Sequence, residues 1–83
     1  MTMSIQAEEL KKMAENVLHF LGVTDYSELQ IVYALRAEGK WKVSFEYGHP
    51  GGFAGSAIRK IASYAADARN GDIEGMWLDR AWK

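Results

Sequence analysis

From Trp41 to Tyr47 large apolar side chains alternate with polar ones: Trp41, Val43, Phe45 and Tyr47 against Lys42, Ser44 and Glu46. A period of two is that of a half-buried β-strand, so one face needs a cover and the other can meet water. The cover is legible upstream. Leu10, Met13, Ala14, Val17, Leu18 and Leu21 recur at helical spacing and form one apolar face. Ser4 is placed to cap that helix, with Glu8 and Glu9 near its positive end. Gly22 follows the last periodic residue as a C′ glycine, with Val23 to supply the apolar contact beyond it.

Leu29 to Ala37 reads as a second strand, joined to the first through a hairpin at Glu38-Gly39. Two registers compete. A two-residue turn pairs Ala37 with Lys40 and sets Ala34 against Val43 and Val32 against Phe45. Leu29, Ile31, Tyr33 and Leu35 then face away from the aromatic strand. A three-residue loop, Glu38 to Lys40, merges the two apolar faces and is the preferred reading. A slip of one residue moves a whole set of side chains across the sheet.

Beyond the loop Gly48-His49-Pro50-Gly51-Gly52, the residues Ala54, Ala57, Ile58, Ile61, Ala65 and Ala68 form a second helical stripe, closed by Asn70-Gly71. Ile73 to Trp82 reads as a last strand, bulged near Gly75, although Ile73, Met76, Trp77 and Ala81 would also share a helical face. The expected fold is therefore α+β in the order α-β-β-α-β. A three-stranded, mainly antiparallel sheet in spatial order 2-1-3 carries two helices on one face, the last strand returning by a right-handed crossover. That sheet leaves a bare face on which Val32, Ala34 and Trp77 are the candidate interface residues.

Composition sets the outer limits. At 83 residues the chain supports a single domain, 1–83, and a 48% hydrophobic share with 25% charged residues excludes a disordered chain. With no cysteine there is no disulfide framework and no thiolate site. No apolar run is long enough to span a membrane, and the polar start from Met1 to Lys12 lacks the apolar core of a secretory signal, so a cytoplasmic location is expected. A net charge of -1 gives no global field for nucleic acid. The middle of the chain is locally basic, with Arg36, Lys40, Lys42, Arg59 and Lys60.

The segment Gly52-Phe53-Ala54-Gly55-Ser56-Ala57-Ile58-Arg59-Lys60-Ile61 resembles the GXXG signature of KH nucleic-acid-binding domains. The resemblance implies a loop whose glycines let the backbone approach phosphates, followed by a helix N-terminus offering free N–H groups. Gly52, Gly55, Ser56, Arg59 and Lys60 would then contact an anion or single-stranded nucleic acid. The positions between the glycines, usually basic in that family, are Phe53 and Ala54 here. The segments Gly39 to Glu46 and Asn70 to Trp77 look a little like gas-vesicle accessory proteins.

No constellation of catalytic groups emerges. His19 borders the apolar stripe, and His49 lies in the glycine loop. Ser56 and Ser63 have no histidine nearby in sequence. Asp72 and Glu74 could share a strand face but are explained by turn solvation. Two histidines without cysteine make a poor metal set. The expectation is a non-catalytic protein-interaction or regulatory domain without cofactor or metal. It would pair with a protein partner or with itself as a homodimer through the sheet, with single-stranded nucleic acid as the alternative partner and no membrane.

Overall fold

The computed structural model describes residues 7–82, with side chains from residue 8 onward; the Ser4 cap lies outside the described residues. One helix, α1 (Ala7–Phe20), precedes four strands: β1 (Ser27–Ala37), β2 (Lys40–Pro50), β3 (Ala57–Asp67) and β4 (Ile73–Leu78). The strands form one antiparallel meander in the order β1-β2-β3-β4. Among the described residues no helix is long and apolar enough to cross a membrane.

α1 follows its apolar stripe. Leu10, Ala14, Val17 and Leu18 are buried, with Met13 and Leu21 packed against them. Its end is a Schellman motif: Val23 N–H donates to the Leu18 carbonyl at 2.8 Å and Gly22 N–H to the His19 carbonyl at 3.1 Å, with Gly22 at φ 87°.

The hairpin register resolves in favour of the shorter turn, against the three-residue loop. Ala37 pairs with Lys40 and Ala34 with Val43. Glu38 and Gly39 take φ of 56° and 74°, the left-handed pair of a type I′ turn. The apolar faces still merge, because β1 is bulged. Ile31 stands opposite Phe45 and Tyr33 opposite Ser44, leaving Val32 as an extra residue. Leu29 and Ile31 therefore join the helix side, while Tyr33 and Leu35 cross to the other face. A second bulge sets Glu28 and Leu29 together between Ser27, opposite Gly48, and Gln30, opposite Glu46; Glu28 adopts φ 50°.

The expected second helix is a strand. Residues 57–67 form β3, and with it the three-stranded 2-1-3 sheet with two helices is replaced by four strands and one helix. Alternation overrides the helical stripe: Ala62, Tyr64 and Ala66 face α1, while Ile61, Ser63 and Ala65 face away. Ala62 and Ala66 are small enough to let α1 sit close over the centre of the sheet. Tyr64 fills the space between and donates its hydroxyl to the Leu10 carbonyl at 2.8 Å. Burial pushes that hydroxyl well above the usual tyrosine range. A last strand forms with its bulge at Glu74, but it ends at Leu78 rather than running to Trp82, and it lies antiparallel beside β3.

Candidate functional site

The glycine segment is a hairpin connection between β2 and β3, so the helix N-terminus implied by the KH resemblance is not present. A single 3-10 turn, Phe53–Gly55, closes on itself: Gly52 N–H donates to the Ser56 carbonyl at 2.9 Å, and the Ser56 hydroxyl to the Phe53 carbonyl at 2.8 Å. A Cβ on Gly52 would overlap the Ser56 carbonyl. The structure thus brings Gly52, Gly55 and Ser56 together, with Phe53 94% exposed at the tip.

Arg59 and Lys60 point to opposite faces of β3. Arg59 is committed to the β1 bulge, donating to the Glu28 carbonyl at 2.9 Å and to Glu46 Oε1 at 3.4 Å. Lys60 lies on the helix side, opposite Tyr47. The expected interface residues also part. Ala34 is on the helix side opposite Val43, Val32 occupies the bulge, and Trp77 lies on the open face opposite Ser63.

Two other places gather exposed chemistry. The first is on the open face. After β4 the chain turns back, and Trp82 crosses the sheet. Its backbone N–H donates to Ser44 Oγ at 2.7 Å, and its indole Nε1–H to the Tyr64 carbonyl at 3.0 Å. Trp77 meets Trp82 edge to face, with ring centres 5.4 Å apart, and Lys42 Nζ stands 5.1 Å over the Trp82 ring. The Trp77 ring lies where a Cβ on Gly75 would be, so the glycine makes room for the indole. Ser63, Trp77, Arg80, Ala81 and Trp82 line a cavity of about 290 Å³. The charges nearby sort into paired and free. Lys40 bridges Glu74 at 2.9 Å, whereas Lys42 and Arg80 form no ion pair among the described residues.

The second place is on the helix side of β4. α1 packs over β1 and β3 and leaves β4 incompletely covered. Asn16, Val17, Phe20, Ile73 and Met76 line the resulting groove, with Phe20 75% exposed and Leu78 also exposed on this strand. Among the described residues β4, which forms one wall of this groove, is an edge strand of the sheet.

Sequence reasoning named Trp77 but missed Ser63, Lys42, Arg80 and Trp82 as neighbours. The helical stripe expected from Ala54 to Ala68 puts Ser63 on a helix, and a strand running to Trp82 has no chain reversal to bring that indole back over Ser44. Phe20, three residues after Val17, widens the apolar stripe of α1 and was the available signal for the groove. Among the described residues no group of three or more His, Asp or Glu side chains is placed to hold a metal ion. The chain matches no protein-family model, no curated protein and no solved structure.

Proposed function

We propose that this chain is a small interaction domain that pairs with a second copy of itself along β4. The carrying observation is the coincidence of an open strand edge with an uncovered apolar groove: Phe20, Ile73, Met76 and Leu78 all lie on the helix side of the last strand. Unpaired backbone groups on such an edge form a template for another strand, and the exposed apolar side chains supply the hydrophobic drive. β4 suits this better than β1. Two bulges interrupt β1, whereas β4 is regular from Gly75 to Leu78.

A second copy fits this edge by self-complementarity. Antiparallel pairing of β4 with itself, centred on Met76, brings the two Met76 side chains together. It also brings Ile73 of each copy toward Leu78 of the other, all on the helix side. A net charge of -1 leaves little repulsion between copies. Sedimentation equilibrium over a wide concentration range tests the reading. The expected result is a species of twice the 9.3 kDa chain mass, shifted toward monomer by Phe20→Ser with Leu78→Lys. A wild-type chain that stays monomeric at millimolar concentration overturns it.

A further inference from the structure

The open-face cavity is a separate feature from the β4 edge, and Ser63 turns a hydroxyl into it. Ser63 is only 2% exposed, lines the cavity and makes no side-chain hydrogen bond among the described residues. Its Oγ is not sealed off, since among the described residues the buried side-chain polar atom without a partner is Trp41 Nε1 on the helix side; the Ser63 hydroxyl is instead a donor presented to the cavity. Its opposite number on β2, Ser44, is satisfied by the Trp82 N–H. The neighbouring groups define what would complete Ser63. Two indoles set edge to face, at 88° to each other, give an apolar corner against which one ring can lie. Lys42 and Arg80, which form no ion pair among the described residues, bring two cations to the same patch.

From this arrangement we infer that the cavity between Trp77, Trp82 and Ser63 binds a small oxyanion carried on a single aromatic ring. The ring packs against the indoles, the Ser63 hydroxyl donates to the oxyanion, and Lys42 and Arg80 neutralise it. The volume of about 290 Å³ suits one ring with its anionic group and lies at the lower end for small-molecule pockets. An aromatic carboxylate and an aryl phosphate share this chemistry. A neutral ring of the same size offers only the packing contact.

The test is an NMR titration of the full chain that follows the three indole N–H signals, with benzoate, phenyl phosphate and benzyl alcohol as separate probes. Trp41 sits on the helix side opposite Ala66 and serves as the internal reference. Saturable shifts of Trp77 and Trp82 with either anion, Trp41 unmoved and benzyl alcohol at least tenfold weaker, support the site. The better of the two anions then identifies carboxylate or phosphate. Ser63→Ala and Lys42→Gln should each weaken binding by about tenfold, the loss expected for a charge-assisted contact. Absence of saturable shifts with both anions overturns the inference. So does equal binding of benzyl alcohol, or a response of all three indoles together. Because the oligomeric state is read separately by sedimentation, failure here leaves the pairing through β4 standing, and failure there leaves this site standing.

Discussion

Replacing Tyr64 by phenylalanine removes a single hydroxyl, the one that ties the sheet to the Leu10 carbonyl of α1. The ring stays and continues to pack against Phe45, with ring centres 6.1 Å apart, so the change isolates the hydrogen bond. The Leu10 carbonyl keeps its own place in the helix ladder, so no acceptor is stranded. The expected loss near neutral pH is therefore that of an ordinary buried hydrogen bond, about 1 kcal/mol, or roughly 4–8 °C in Tm for a domain of this size. Alkaline pH reverses the comparison. Burial raises the Tyr64 pKa in the folded state, so its contribution is complete below the unfolded value of about 10. It is then lost as pH rises toward the folded value, at up to about 1.4 kcal/mol per pH unit. Phenylalanine has no proton to lose, and every other titrating group is common to both chains and cancels in the difference. The stabilities should cross at about pH 10.7, with Tyr64→Phe the more stable protein above it. Urea unfolding of both chains at neutral pH and in half-unit steps up to pH 11 measures the difference. Parallel pH profiles would refute the reasoning, because they would mean that Tyr64 ionises as easily folded as unfolded.

The turn and the last strand give two further tests. Glu38 holds φ 56° in the type I′ turn, a conformation that asparagine adopts more readily, so Glu38→Asn should raise stability by about 0.5–1 kcal/mol as read from the urea midpoint. An unchanged midpoint would mean that the turn is not strained at Glu38. Gly75→Ala places a methyl group where the Trp77 ring lies and should push that indole away from Trp82. The expected signs are a weaker near-ultraviolet circular dichroism and a loss of about 0.5–1.5 kcal/mol, the usual worth of an aromatic pair. Retention of the full near-ultraviolet signal would count against the contact.

What the sequence disclosed follows from where local periodicity and tertiary context agreed. The stripe from Leu10 to Leu21 and the glycine after it specify α1 and its end by themselves. The alternation from Trp41 to Tyr47 specifies β2. In Leu29 to Ala37 both competing registers contained part of the answer. The turn demanded one and the apolar face demanded the other, and the extra residue at Val32 satisfies both. Pattern reading assumes an unbroken period and cannot place such a residue. Residues 57–67 failed for a different reason. Their alanines have high helix propensity, yet the segment lies between two strands and beneath a helix, where small side chains are required for close approach. The open-face cavity depends on that misread strand and on a chain reversal after Leu78, so its members could not be gathered from spacing alone.

The meander carries a consequence for how the chain acquires this structure. Every strand pairs with its neighbour in sequence, across connections of two, six and five residues, so most of the sheet can zip from local hairpins with little loop-closure entropy. The contact between Tyr64 and Leu10 is different, because it spans 54 residues. Docking of α1 on β3 is thus the distant closure, expected to follow the formation of β2 and β3 rather than guide it. In kinetic terms, Tyr64→Phe should accelerate unfolding and leave the folding rate nearly untouched, whereas Glu38→Asn should act on folding.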